Sequence, residues 1–168
     1  MVVRAVDYKL QTDTAALVEL LNYYASDQAG GGEPLSDDVR RLLPEKLAAR
    51  HDAFSFVAWM GDRAVGLLNA FEGFSTFAAA PLLNVHDVVV HRDFRGRGVA
   101  HRLLVAAEDL AIERGCCKLT LEVLTANEPA IALYERFGFA SYRLHDTLGH
   151  AIFLQKKLGS TSGPRSSN

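Results

Sequence analysis

The stretch Val88-Val89-Val90-His91-Arg92-Asp93-Phe94-Arg95-Gly96-Arg97-Gly98-Val99-Ala100-His101 decides how this chain is read. Three valines form a β-rich run, two glycines punctuate a turn, and the residues from Val99 take up helical spacing. A strand that feeds a helix through such a turn aims several backbone N–H groups at one point, beside the positive end of the helix macrodipole. Glycine lets the backbone approach an anion closely, and Arg95 and Arg97 add positive charge. A diphosphate fits that chemistry, although a Gly-x-Gly turn alone does not name a ligand. Two phosphate-binding schemes are excluded. A dinucleotide fingerprint would need glycine or alanine where His101 stands, and a nucleotide P-loop would need a Gly-Lys-Ser/Thr sequence.

Outward from the turn, the pattern is that of one mixed α/β domain. On its C-terminal side, Val99, Leu103, Ala106 or Ala107, and Leu110 share a helical face, and Gly115 stands where a C-terminal cap belongs. Lys118 to Leu124 alternates as a strand. Pro129 suits the first turn of a helix whose apolar face is Ile131, Leu133, Tyr134 and Phe137, with Gly138 as its stop. Ala140 to Leu144 and Ala151 to Lys157 read as closing strands. On the N-terminal side, the run from Leu82 to His91 leads into the turn. Before it, Phe54–Met60 and Ala64–Phe71 flank Gly61-Asp62 as a hairpin. Val2 to Val6 reads as a first strand. Asp13 is placed to cap a helix carrying Leu17, Leu20, Leu21 and Tyr24, and Ser36 to cap a second through Leu42, with Pro44 ending it or opening another turn. The expected sheet has six or seven strands.

The bulk properties agree with one globular core in 168 residues, 49% hydrophobic and 23% charged. A net charge of −2 argues against a nucleic-acid binder, which needs a concentrated basic surface. No apolar run approaches the roughly 20 residues that span a bilayer, and the N-terminus lacks the pattern of a secretory signal. Cys116 and Cys117 are neighbours, so they cannot staple distant segments, and no metal-ligand spacing surrounds them. A reducing, cytoplasmic location follows. Residues 1–158 form the expected domain. Gly159 to Asn168 carries no large apolar residue and is expected to be a disordered tail.

The turn Arg95-Gly96-Arg97-Gly98-Val99-Ala100 resembles the pyrophosphate-loop pattern of the GCN5-related N-acetyltransferases, Gln/Arg-x-x-Gly-x-Gly/Ala. Further on, Asn127-Glu128-Pro129-Ala130-Ile131-Ala132-Leu133-Tyr134-Glu135-Arg136-Phe137-Gly138-Phe139 resembles that superfamily's second signature, Asn-x-x-Ala-x-x-x-Tyr followed by an aromatic-Gly-Phe step. Two signatures in the right order and separation say much more than either alone, and they cover roughly Leu82 to Phe139. The resemblance implies a sheet splayed at a coenzyme A site, with acetyl-CoA as co-substrate and no metal. It implies that the backbone of Val88, Val89 and Val90 pairs with the pantetheine arm. N–H groups of Gly96, Arg97, Gly98, Val99, Ala100 and His101 would hold the pyrophosphate. Asn127 would hydrogen-bond the pantetheine or acyl region, and Tyr134 would protonate the departing thiolate. Each has a plainer alternative: Asn127 as a helix cap, Tyr134 as core, Arg95 and Arg97 as solvated turn residues.

The acceptor side is less determined. An amine with a pKa of about 10 is only about one part in a thousand neutral at pH 7, so a base or a water chain must take its proton. Relatives in the superfamily often carry glutamate on the strand before the loop, at the position of His86. His86 is one candidate base and Glu72, on the preceding strand, the other, with substrate contact or structure as rival roles. Gly73-Phe74-Ser75-Thr76-Phe77 and Asn127-Glu128-Pro129 loosely resemble the polyamine acetyltransferase branch (spermidine/spermine-type enzymes), for which Asp27, Glu33, Asp37 and Asp38 would be acceptor carboxylates. The working expectation is direct transfer of acetyl to a primary amine of a small molecule. The alternatives are a peptide or protein amine, a non-catalytic acyl-CoA sensor, and a structural interaction module. The resemblance also brings the expectation of a homodimer.

Overall fold

The structure, a computed structural model, describes residues 1–141 and 153–156. Five strands form one sheet in chain order: β1 (Val2–Ala5), β2 (Ala53–Met60), β3 (Arg63–Ser75), β4 (Ala80–Val90) and β5 (Leu119–Leu121). The first four run antiparallel as a meander, and β5 lies parallel to β4. The connection between those parallel strands is helix α3 (Val99–Glu113), as a parallel pair requires. Two further helices, α1 (Gln11–Ala25) and α2 (Asp37–Ala48), sit between β1 and β2 in sequence, and α4 (Glu128–Phe137) follows β5.

Each face of the sheet has its own core. On one side, Leu103, Leu104, Ala107 and Ala111 of α3 pack on Phe56, Ala58, Val65, Leu68, Ala70, Leu83 and Val85. On the other, Ala16, Leu17 and Leu20 of α1 and Leu47 of α2 pack on Val57, Leu67 and Val89. The central strand β3 is buried on both faces, which is why Val65 to Leu68 reads as an apolar run without alternation. Gly66 lets the start of α3 lie close to this strand. A Cβ there would lie 2.7 Å from Val99 Cγ1 and 3.0 Å from the Val89 carbonyl oxygen, so only glycine admits the first turn of α3 at this distance.

Several sequence expectations need correction. Asp13 does not cap α1. The helix begins earlier, with Leu10 in the cap position and no side-chain cap. Asp13 instead turns inward, 1% exposed, where it accepts from the Arg4 guanidinium and, at 3.0 Å, from the Asp7 backbone N–H. A guanidinium and an N–H satisfy a buried carboxylate better than one helix N–H could. Ser36 does cap α2, accepting from Val39 N, but the helix continues through Pro44 to Ala48. The strand expected over Lys118 to Leu124 is confined to Leu119–Leu121, and Val123 and Leu124 are exposed. The sheet has five strands among the described residues, against six or seven expected. Of the closing strands, Ala140, Ser141 and Phe153 to Lys156 are described and are not strand. The rest of that pair, and the tail from Gly159, lie outside the described residues.

Candidate active site

The turn before α3 takes its shape from its glycines. Gly96 and Gly98 have φ of 73° and 76°, a region that costs other residues energy, and no atom lies within 4 Å of where their side chains would begin. Gly98 is the N-cap of α3 and makes no side-chain cap. The first N–H groups of α3, at Val99, Ala100 and His101, therefore have no intrahelical acceptor. They stand at the positive end of a 15-residue helix. Those donors fit a pyrophosphate. The two arginines are engaged locally. Arg95 donates through Nε to the Val90 carbonyl at 3.3 Å and lies 3.9 Å from Asp27, and the Arg97 guanidinium sits 5.3 Å from the Phe94 ring centre. They brace the turn while the backbone offers the donors.

Strand β4, which leads into the turn, has one edge that is only partly paired. It pairs with β5 only over Leu83 to Val85, whereas its pairing with β3 continues to Val90. Beyond Val85, Val88, Val89 and Val90 are thus paired to β3 on one edge only, leaving the other edge for an extended ligand. A β-bulge marks the point of divergence. Asn69 faces Asp87 and Ala70 faces Val85, so His86 is the extra residue. It is exposed, with its ring edge-on to Phe71 at 5.4 Å.

Tyr134 of α4 is half-buried against the α3-side core, beside Phe139 at 5.8 Å between ring centres. Its phenol is pushed above the ordinary value by burial, and further by Tyr24 of α1 nearby. A phenol so placed keeps its proton across the physiological range, as a proton donor must. α4 is tied to α3 through Phe137, which meets His101 edge-on at 5.5 Å. Asn127 caps α4, accepting from Ala130 N at 3.3 Å, so the plainer role foreseen for it is present in the structure.

Glu72 lies on the other side of the sheet from His86. It shares the α3 face with Leu68 and Ala70 and forms an ion pair with Arg114 just past the end of α3, whose guanidinium also covers Phe54. The structure therefore does not bring Glu72 and His86 together. The early acids are dispersed as well. Asp27 pairs with Arg95, and Asp37 and Asp38 pair with Arg40 and Arg41 on the exposed side of α2.

Sequence reasoning missed Asp87. Plain alternation from Val85, a core residue on the α3 face, would put Asp87 on that same face. The bulge at His86 reverses the facing, so Asp87 joins Val89 on the α1 face. There it heads a row of side chains directly across three strands. Tyr8 Oη donates to Ser55 Oγ at 2.9 Å, Ser55 Oγ donates to Asn69 Oδ1 at 2.6 Å, and Asn69 Nδ2 donates to Asp87 Oδ2 at 3.0 Å. Ser55 and Asn69 are both buried. Tyr24 stands between Asp87 and Tyr134 electrostatically. Its phenol is held high by burial first, then by the charges of Asp87 and Asp27. Polar residues at Ser55 and Asn69 within two otherwise apolar strands were the available signal. Among the described residues, no group of His, Cys, Asp and Glu could hold a metal ion, and no helix is long and apolar enough to cross a membrane.

Comparison with known proteins agrees with this geometry. The model of the Acetyltransferase (GNAT) family matches residues 17–139. Streptothricin acetyltransferase of Streptomyces lavendulae is 39% identical over 97 residues, which are 58% of this chain and 50% of that protein. N-alpha-acetyltransferase 30 of Schizosaccharomyces pombe is 32% identical over 113 residues, 65% of this chain and 72% of the relative. The match thus spans half of the first relative and most of the second. Among solved structures, a probable acetyltransferase superposes with a TM-score of 0.77 at 21% identity, covering 94% of this chain and 100% of that one. AAC(6')-Iy in complex with a bisubstrate analogue of coenzyme A and acetylneamine superposes at 0.73, with 21% identity over 94% and 98% of the two chains. At such identities the structures speak for the fold, while the family match covers most of the sequence. On that match the chain belongs to the acetyltransferase (GNAT) family.

Proposed function

We propose that this chain transfers an acetyl group from acetyl-CoA to a primary amine of a small molecule by direct attack. One observation carries the reading: the uncapped N-terminus of α3 opens beside the strand edge freed at the His86 bulge, with the Tyr134 phenol on the neighbouring helix. Acetyl-CoA supplies the activated acyl group. The N–H groups from Gly96 to His101 hold its pyrophosphate, and the free edge of Val88, Val89 and Val90 aligns its pantetheine arm. As the amine nitrogen bonds to the acyl carbon and the carbon–sulfur bond breaks, Tyr134 gives its proton to the departing thiolate. The proton released by the amine passes to water, and solvent restores the phenol. Asn127, at the start of α4, orients the acyl region while capping that helix.

The placement of the cysteines supports direct attack. Cys116 and Cys117 lie beyond the far end of α3, about 20 Å along a 15-residue helix from the turn. Burial also pushes the Cys116 thiol up, away from the reactive thiolate. Glu72 has no part in the chemistry proposed here, since Arg114 occupies it on the opposite face. His86, exposed at the bulge, is left as a contact to the acceptor or to the water that takes its proton. The S. pombe relative favours a second reading, with a peptide N-terminus as acceptor. The polyamine likeness rests on two short stretches, and the names of the relatives above point elsewhere.

Thermal shift with coenzyme A, then thiol release from acetyl-CoA with polyamines, amino acids, aminoglycosides and peptide N-termini, tests the proposal. Stabilisation by coenzyme A and amine-dependent thiol release are expected. Stabilisation without release from any amine would make the chain an acyl-CoA sensor, and parallel-line kinetics with an acetylated protein would overturn direct attack.

A further inference from the structure

A turn hinged on two glycines has many conformations open to it, so fixing it before the ligand arrives lowers the ordering cost of binding. At the entry to this turn, that support comes from α1. His91 ends the pairing of β4, donating its backbone N–H to the Val65 carbonyl at 3.0 Å. Its ring stacks on Tyr23 of α1, with centres 4.9 Å apart and planes 20° apart. The Tyr23 hydroxyl accepts from the Arg92 N–H at 3.2 Å, and His91 Nδ1 accepts from the Asp93 N–H at 3.4 Å. The pair thus takes up the first two backbone donors of the short 3-10 turn Arg92–Phe94, which leads directly into Arg95 and Gly96. Phe94 carries the support onward. Its ring meets that of His91 at 6.0 Å, and the Arg97 guanidinium, between the two glycines, lies 5.3 Å from its centre.

Packing alone does not ask for these groups. Tyr23 and His91 are both half-buried, with Tyr23 at the margin of the α1-side core, and phenylalanine would fill the same space. A phenol oxygen and a ring nitrogen, each set on a backbone N–H of one short turn, fix that backbone as apolar rings could not. We propose that Tyr23 and His91 are positioning residues for coenzyme A, holding the backbone that enters the glycine turn in the shape the pyrophosphate requires. They act through the Arg92 and Asp93 N–H groups and through Phe94, and touch no reacting atom. This rests on the coenzyme A reading above.

The test is calorimetry on the full chain with coenzyme A, and with ADP by displacement of coenzyme A. ADP carries the diphosphate without the pantetheine arm. Tyr23→Phe keeps the stack and removes the acceptor of the Arg92 N–H. Kd should rise about fivefold for both ligands, as loss of one hydrogen bond implies, while the ligand-free chain melts as the wild type does. His91→Phe also keeps a stacked ring, and its longer bond predicts a rise of about threefold. In thiol release with the amine panel above, the KM for acetyl-CoA should rise by these factors while kcat holds. An unchanged Kd for coenzyme A in Tyr23→Phe, or a rise that ADP does not share, overturns the inference and leaves the coenzyme A site standing. A fall in kcat at unchanged KM overturns it as well. If Tyr23→Phe melts several degrees lower, the role of Tyr23 is structural, and His91→Phe decides by the same titrations. A wild type that binds no coenzyme A, or from which ADP never displaces it, removes the pyrophosphate site itself and this inference with it.

Discussion

The two faces of the sheet are built by different means. The side that carries α3 and the donor turn is made of backbone: glycines at positive φ, an uncapped helix end, a strand edge set free by a bulge. Its side chains are mainly apolar, and its acid, Glu72, is paired with Arg114. The side that carries α1 and α2 holds a polar row across three strands, ending in a carboxylate with no cation partner among the described residues. Backbone donors suit a part of the substrate that never varies. Side chains suit the part that differs between enzymes, because they are exchanged without disturbing the sheet.

The largest effect should come from the residue that bridges the two sides. Replacing Tyr134 with Phe keeps the packing on Phe139 and removes the proposed proton donor, so kcat should fall about a hundredfold while coenzyme A affinity holds. Because burial raises the phenol's pKa, the protonated form persists through the ordinary tyrosine value and is lost above it. Any alkaline loss of kcat caused by Tyr134 should therefore lie above pH of about 10. Unchanged kcat in Tyr134→Phe would remove the bridge and leave two independent sides.

Next comes the tie between α1 and β1. Asp13 is buried with Arg4, whose own side chain is 42% exposed, so Asp13→Ala should cost about 2 kcal/mol, less than a wholly buried pair. Arg4 holds the Asp13 carboxyl below its usual range. The stability it contributes is thus present above the unfolded pKa of about 4 and lost as pH falls through the lower folded value. Urea titrations should show the full gap between wild type and variant at pH 7, closing in acid. A gap that widens in acid would mean the pair is not what holds this helix.

These two sides also differed in how far the sequence revealed them. The donor turn, the helix after it and the cap at Asn127 depend on contacts within a few residues, which a linear pattern records. Asp87 depends on the bulge at His86, and a bulge is decided by pairing with Asn69 and Ala70 on another strand. Without it, period-two alternation sends Asp87 to the wrong face. The same limit misled the reading of Asp13, an acid near a helix start whose partner Arg4 lies on a strand. It misled the strand after Lys118 too, because β5 can follow β4 only until β4 bulges.

The donor side gives a smaller and more selective effect. Gly98→Ala places a Cβ in open space, so nothing collides, but the left-handed φ of 76° costs about 1–2 kcal/mol. The KM for acetyl-CoA should rise roughly tenfold, while the KM for the amine at saturating donor stays put. Equal rises in both would show that the turn and the acceptor cleft are one unit, contrary to the separation of the two faces.

The smallest effect probes the α1 face where it is thinnest. Helix α2 buries Leu47, with Leu43 partly buried beside it, and otherwise lies largely exposed, so its N-cap is a sizeable part of what holds it. The Ser36 hydroxyl accepts from Val39 N at 3.3 Å, a long bond at an exposed helix start. Ser36→Ala should therefore cost about 1 kcal/mol and lower Tm by about 2–4 °C. Since α2 packs in the α1-side core among the described residues, calorimetry with coenzyme A should return the wild-type affinity. Weaker coenzyme A binding in this variant would mean that a loosened acceptor face is felt across β3, and that the twice-buried strand couples the two sides it separates.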